Sequence, residues 1–453
     1  MTEILLIAGV AIGAVVFLAC AVVALEWLAR TPALVAGAIL IHAGLTTMVS
    51  LSAILAFGSI TVYLPDVIYG LTFGAGLVRI ISLKHLPSSR AAIAALAALA
   101  LFSVARGAVE DFARSINEFR LMFYFLSGAL YFVTVEPTRE FLERVTRIFY
   151  AAALLTLTGT IILWAASFSG ASLPDLWTDP YEHGFRVVHG THALLLAQAC
   201  LIALPAWRLR ARGNRVFERY LVLLLIPAVF VLQWKVVWIL FLGGLALVGA
   251  RDLALGRKLL IPLVVVAMVS LFILPAVFGV SDVSLVESLS ERTNPGTFLW
   301  RVEGWDALLE SNGPQSISEF FFGAPYGRGW ERIVDEQERT TQPHNFYLDN
   351  FLRHGLLGVA LLVLVYIWAI RRLMTGRDYG SVSGMASPGM WGVLLVTQLV
   401  FFVTFSAGAE QGVIAGIGLT VALSRRNVSQ SKAGLSFPTD SGRTLPKRSP
   451  QPA

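Results

Sequence analysis

Apolar residues run through this chain in blocks of about 20, the length that crosses the hydrocarbon core of a bilayer. Short polar loops and one long loop separate the blocks. The pattern predicts spans at 4–28, 33–56, 60–82, 91–108, 119–136, 146–167, 188–207, 219–232, 236–250, 259–277, 351–370, 388–407 and 409–424. The stretch 33–82 fits two spans or three shorter helices, so about 12 to 14 spans are expected. Continuous runs rather than short alternating segments exclude a β-barrel. The fold class is therefore all-α, a polytopic helical membrane protein. The first span, from Ile4, lacks a basic leading region and a small-residue cleavage site, so it is expected to be retained.

Charge sets sidedness. "RLRARGNRVFER" (208–219), "RDLALGRK" (251–258) and "RRLMTGR" (371–377) are dense in Arg and Lys and are expected in the cytoplasm. The segment 278–350 then lies outside. It holds 5 arginines, no lysine and 12 carboxylates. A loop of this length is not an idle connection, and its aromatic residues suffice for a packed cap, among them Trp300, Trp305, Phe320, Phe321, Phe322 and Trp330. "RVEGWDALLES" (301–311) reads as a short amphipathic helix with Trp305, Leu308 and Leu309 on one face. "FFFGAPYGRGW" (320–330) is punctuated by Gly323, Pro325, Gly327 and Gly329 and reads as turns. The organisation expected is an N-terminal transmembrane bundle (1–277), a large extracytoplasmic loop carrying active-site elements (278–350), C-terminal transmembrane helices (351–424) and a disordered basic cytoplasmic tail (425–453).

Composition agrees: 56% of residues are hydrophobic and 14% charged, against about 25% charged in a soluble domain. The net charge of +6 comes from short loops and the tail and does not indicate a nucleic-acid partner. Cys20 and Cys200 lie inside predicted spans, which argues against a disulfide framework.

Candidate chemistry gathers where the outer loop meets a span, in "QPHNFYLDNFLRHGLLG" (342–358). If Phe346 begins a helix, Tyr347, Asn350 and His354 share a face, with His344 and Asn345 just before it. Gly355 and Gly358 permit close helix contact. A histidine near its ordinary pKa of about 6.5 can take a proton from an attacking hydroxyl; it can equally anchor a helix at the interface. Arg186, Arg301 and Arg328 are outer arginines whose planar forks suit phosphate, or the loop's own carboxylates. Arg292, Arg332 and Arg339 sit beside acidic residues and read as ion-paired. Lys235 interrupts the apolar run "VLQWKVVW" (231–238), where a charge marks a functional position or snorkels to the interface. Asp66 reads as a helix cap, and Glu110–Asp111 as a solvated face. No metal-ligand spacing, Walker loop or dinucleotide fingerprint occurs in a credible context.

"RVEGW", "GAPYGRGW" and "PHNFYLDNFLRHGLLG", with one large outer loop late in the chain, resemble the O-antigen ligase and polymerase superfamily, which includes exopolysaccharide repeat-unit polymerases. The resemblance implies a GT-C-type, metal-independent, inverting glycosyltransferase of the bacterial inner membrane, working at the periplasmic face without a cofactor. Its donor would be an oligosaccharide on undecaprenyl diphosphate. His344 would match the family's loop histidine, which helps activate the acceptor hydroxyl, and Arg301 the loop arginine. Lys235 falls where the family has arginine, a departure that keeps the charge and loses the bidentate fork. Arg186 matches a less constant arginine before a span. On this expectation Arg186, Lys235, Arg301 and Arg328 neutralise diphosphate, His344 acts as base, and Asn345, Tyr347 and His354 support it.

The expected activity is polysaccharide polymerisation in exopolysaccharide or O-antigen biosynthesis. The runner-up is an O-antigen ligase with lipid A-core as acceptor. A lipid-linked-glycan flippase or carrier is the alternative from another class; it would place charges near the midplane on broken helices, often within repeats. A polysaccharide flippase and a chain-length regulator are the expected protein partners.

Overall fold

The computed structural model describes residues 23–47, 53–57, 60–83, 88–169, 187–209, 215–232, 234–251, 296–334, 337–375 and 387–434. The predicted span at 259–277, most of that at 4–28, Arg186 and Arg292 lie outside these residues.

The described chain is mainly helical. Helices α1 (Val23–Arg30) and α2 (Pro32–Leu45) meet at an angle of 94°. Pro32 lacks the N–H that would continue α1, and it disfavours helical backbone at Thr31; Thr31 indeed has φ −119° and ψ 60°. The span expected at 33–56 ends at Leu45. An antiparallel hairpin, β1 (Ala53–Phe57) and β2 (Ile60–Tyr63), follows it. Ile60, Thr61, Val62 and Tyr63 are β-branched or aromatic, a pattern that favours a strand over a helix. The all-α expectation is corrected to this extent, since a second hairpin, β3 (Arg332–Val334) and β4 (Gln337–Arg339), lies in the loop region.

Helices α3 (Leu64–Ile81), α4 (Ser88–Ala108), α5 (Phe112–Phe132), α6 (Arg139–Phe168), α7 (Gly190–Leu209), α8 (Arg215–Val231) and α9 (Lys235–Arg251) follow the apolar blocks. The loop region contributes α10 (Gly296–Asn312) and α11 (Ile317–Phe322). Then come α12 (Phe346–Met374), α13 (Pro388–Phe401) and α14 (Ala409–Gly434). The last helix continues beyond the predicted boundary at 424, where a disordered tail was expected.

Four described helices are long and apolar enough to cross a membrane, or five if the bent α1–α2 pair is one span. The chain thus has the make-up of a multi-pass membrane protein, with fewer full-length spans among the described residues than the 12 to 14 expected. The shortfall has a physical reason. Helix α13 has 14 residues, about 21 Å at 1.5 Å per residue, against about 30 Å of hydrocarbon. Helix α5 carries Arg114, Glu118 and Arg120 in its first half.

The core is built where α5, α12 and α14 meet. Gly412 and Gly416 of α14 face the backbone of α5, where a Cβ would collide with the Phe125 and Ala129 carbonyls. This is the small-residue spacing that lets membrane helices approach closely. Above that contact Phe346 packs on Phe125 and Phe402, with ring centroids 5.3 and 4.8 Å apart.

A helix forms over the predicted stretch, as α10, but without the predicted apolar face. Leu308 is buried with Trp330, Leu348 and Leu352, and Trp305 packs on them, but Leu309 turns outward. Phe320, Phe321 and Phe322 are also exposed rather than part of a packed cap. Backbone contact explains this. Gly323 lies against the Arg353 carbonyl and Gly355 against that of Phe321, so α11 meets α12 main chain to main chain and its side chains splay outward. Gly355 has φ 64° and ψ −167° and breaks α12 there; a side chain at that φ would be strained.

Candidate functional site

The polar loop is fixed to the membrane helices at Asn345. Its side chain accepts from the N–H groups of Tyr347 and Leu348, at 3.0 Å each, and caps α12. Phe346 N–H donates to the Phe402 carbonyl at 2.8 Å, and Ser406 Oγ donates to the Pro343 carbonyl at 3.3 Å. The segment before α12 is thereby held beside the turn after α13.

Phe405, buried in that turn and stacked on Phe401 at 4.5 Å, becomes a meeting point. The exposed His344 ring lies 6.5 Å from it. The Arg301 guanidinium carbon, from α10, lies 5.6 Å from its centroid, within the range of a cation–π contact. His189, just before α7, lies 5.8 Å away, and Trp234, just before α9, 5.5 Å away. Gly190 is required here, because a Cβ would come within 2.6 Å of the Phe405 ring. Trp234 Nε1 donates to the Val188 carbonyl at 3.0 Å, tying the start of α9 to that of α7.

Electrostatics follow. Burial and, after it, the Arg301 charge lower the pKa of His189, so its imidazole is neutral at pH 7 although one edge stays open to water. The site therefore joins a fixed cation, a neutral imidazole, a solvent-facing imidazole and two aromatic faces.

A half-buried series of polar contacts lies nearby. His192 Nε2 and Thr46 Oγ1 are 3.0 Å apart. On the same face of α2, His42 Nδ1 is 2.8 Å from Tyr69 Oη. Tyr69 packs on Tyr124 at 4.4 Å, and Tyr124 Oη donates to Asp66 at 2.6 Å. Asp66 is also paired with Arg120 at 3.0 Å and accepts from Tyr63 N–H at 2.8 Å. It is a cap, as expected, and an ion-pair partner besides. His42, His189 and His192 were not singled out from the sequence. A lone histidine inside an apolar run is the signal that marks them.

The expected site residues separate into two groups. Arg301 and His344 come together at Phe405. Lys235 is exposed at the first turn of α9, the residue after Trp234. The other expected residues have partners within the protein. Arg328 uses both terminal nitrogens on Glu319, at 3.1 and 2.6 Å, so its fork is occupied by a carboxylate. Asn345 is a helix cap. Tyr347 gives its hydroxyl proton to the Leu399 carbonyl. His354 is buried, 3.2 Å from Tyr326 Oη and 3.1 Å from Asn350 Oδ1. Arg332, read as ion-paired, instead donates to the carbonyls of Trp330 and Thr341, at 3.0 and 2.7 Å.

His354 belongs to a framework that holds the glycine-rich turn. Gly323, Gly327 and Gly329 have φ of 80°, 94° and 83°. Fully buried Arg353 donates to the Pro325 and Gly329 carbonyls at 3.2 and 2.6 Å, stacks on Trp330 at 4.1 Å and pairs with Glu118 at 3.0 Å. Glu118 in turn accepts from Gly327 and Gly329 N–H at 2.9 and 2.6 Å. Burial and then the Asp349 charge raise the pKa of Tyr326, which stays a phenol.

No family model matches the chain, and the comparison with curated proteins finds no match.

Proposed function

We propose that this protein is a polysaccharide polymerase of the bacterial inner membrane, acting at the periplasmic face. It takes a glycan from undecaprenyl diphosphate and passes it to the hydroxyl of an acceptor glycan. The observation that carries the reading is the convergence of Arg301 and His344 on Phe405, with His189 and Trp234 on its other sides.

The chemistry follows from the leaving group. The acceptor oxygen attacks the anomeric carbon, the bond to the diphosphate oxygen breaks with inversion, and the hydroxyl proton passes to His344. Charge grows on the departing diphosphate, where a fixed guanidinium stabilises the transition state more than the ground state. Arg301 and Lys235 supply the positive charge. Neutral His189 beside Arg301 adds none. A donor that is half lipid and half sugar requires its site at the membrane–water boundary, where this loop joins the helices. The motifs "RVEGW" and "PHNFYLDNFLRHGLLG", with their resemblance to the O-antigen ligase and polymerase superfamily, supply the substrate class.

A carrier draws support from one observation, the half-buried polar contacts from His192 to Asp66, since intramembrane polar chains also serve transport. The test is Arg301→Ala in cells that depend on this protein for polymer. The reading expects polymer to vanish while the protein remains in the membrane; normal polymer length and yield would refute the diphosphate role.

A further inference from the structure

A cavity of about 570 Å³ opens between the first turns of α5 and the loop that carries the glycine-rich turn, a volume suited to a small ligand or a few sugar rings. The described contacts have already accounted for its charges. Arg114 pairs with Glu331 and lies 3.4 Å from Glu118, and Arg353 closes on Glu118 from behind. Asp111 adds a further carboxylate, which accepts from Arg114 N–H at 3.0 Å. Asp111, Glu118 and Glu331 line these walls against one guanidinium group, that of Arg114, which is engaged by Glu331. The cavity is therefore net acidic and disfavours a phosphate or uronate.

What the walls do offer is neutral hydrogen bonding. Asn117 and Thr340 stand exposed on the walls and take no part in the hydrogen bonds that tie them together. Gln342 gives its Nε2 to Asp349 at 3.2 Å, which fixes the amide and leaves its oxygen as an acceptor. An amide carries both donors and acceptors, and a threonine hydroxyl does both in one atom. This is the complement of a polyhydroxylated ligand, whose every hydroxyl both donates and accepts. Trp330 lies beneath these walls, buried against Arg353 at 4.1 Å and against Leu308, Leu348 and Leu352.

Position adds the rest. Thr340 and Gln342 line the cavity and belong to the segment that ends at His344. Two residues of extended backbone reach at most about 7 Å, so the cavity wall lies within the length of a short oligosaccharide from the His344 backbone. Arg301 lies against Phe405 on the helix side of the same histidine. The geometry points to this cavity as a subsite for a neutral acceptor glycan, held so that its terminal hydroxyl reaches His344. The inference rests on the glycosyl-transfer reading and sharpens it. A mildly acidic subsite excludes a phosphorylated lipid A-core acceptor and selects an uncharged glycan chain.

The test is saturation-transfer NMR on the full chain in nanodiscs. The probes are cellotetraose, maltotetraose and mannotetraose, with tetragalacturonate as the anionic counterpart. The variant is Asn117→Ala with Thr340→Ala, two exposed positions whose replacement leaves the fold intact. The expected result is binding of at least one neutral probe, weaker binding of tetragalacturonate, and about tenfold loss of affinity in the double variant, as removal of two hydrogen bonds implies. His344→Ala should bind the neutral probe normally. Failure of every neutral probe to bind, preference for tetragalacturonate, or unchanged affinity in the double variant would overturn the subsite. A transfer assay separates this from the broader reading. Transfer by wild type with unchanged acceptor KM in the double variant leaves the enzyme standing without this subsite. Sugar binding lost in the double variant, in a protein that transfers nothing, leaves the subsite standing without the enzyme.

Discussion

Arg301 and Arg328 carry the same side chain, and their neighbours set them different tasks. Arg328 closes both terminal nitrogens on Glu319, whereas Arg301 spreads over an aromatic ring. Arg328→Ala leaves a buried carboxylate without its partner, and the expected loss is about 1–3 kcal/mol of stability, as for charge-assisted hydrogen bonds, read by thermal unfolding in detergent. The pair also has a pH signature. Burial pushes the Glu319 carboxyl up, but the Gln315 N–H, Arg328 and Arg106 outweigh it, so its folded pKa lies below the ordinary value. Its stabilising contribution is full above the unfolded pKa and fades as pH falls through the folded one. The Tm gap between wild type and Glu319→Gln should therefore persist at neutral pH and narrow below about pH 4; a gap that widened there would contradict the assignment. Lys235→Arg should preserve activity, because it restores the fork without moving the charge. Single residues show both the reach and the limit of the sequence. Arg301 and His344 are polar groups at a predicted boundary and were legible there. Arg353 sits in the same motif and is fully buried, because its partner Glu118 lies far upstream and becomes a neighbour only through the fold.

Helices were the easiest elements to see and their ends the hardest. The apolar blocks locate α3, α4, α6 and α12 well, since about 20 apolar residues have few other uses. The hairpin at 53–63 was hidden because β-branched residues are as apolar as a span, and hydropathy does not separate the two. The break at Gly355 was equally hidden; glycine is common in membrane helices, and only the approach of the Phe321 backbone reveals its purpose. Glycine also sets the α5–α14 contact. Gly412→Val would drive two methyl groups against the Phe125 carbonyl, and overpacking of this kind costs about 1–3 kcal/mol. The expected outcome is a lower unfolding temperature in detergent with the α-helical circular dichroism retained. Asn345→Ala removes the α12 cap and should cost about 1 kcal/mol, with a further loss of activity because the cap also anchors His344.

At the scale of the whole molecule, the proposed function requires the loop and the basic stretches to lie on opposite sides of the membrane. In a chain with Cys20 and Cys200 replaced by alanine, Thr340→Cys should react with an impermeant maleimide added to intact spheroplasts. Asn214→Cys, in the basic stretch 208–219, should react only after permeabilisation; the reverse pattern would invert the topology and contradict the proposed site. The sequence conveyed the membrane class. It did not convey that α7, α9, α10 and the turn after α13 converge on Phe405, because that meeting depends on helix packing between distant segments. Phe405 itself carries no chemical signal in the sequence, one phenylalanine among 28.

The most direct measurement is glycosyl transfer by the purified full chain with a neutral repeat unit on undecaprenyl diphosphate. The product would be analysed for length and for the configuration of the new bond, with His344→Ala run alongside at equal folding. The account expects wild type to build polymer with inverted linkages, and the variant to fall by at least the roughly 10²-fold that general base catalysis contributes. Intact donor with wild type, or equal polymer from the variant, would contradict it.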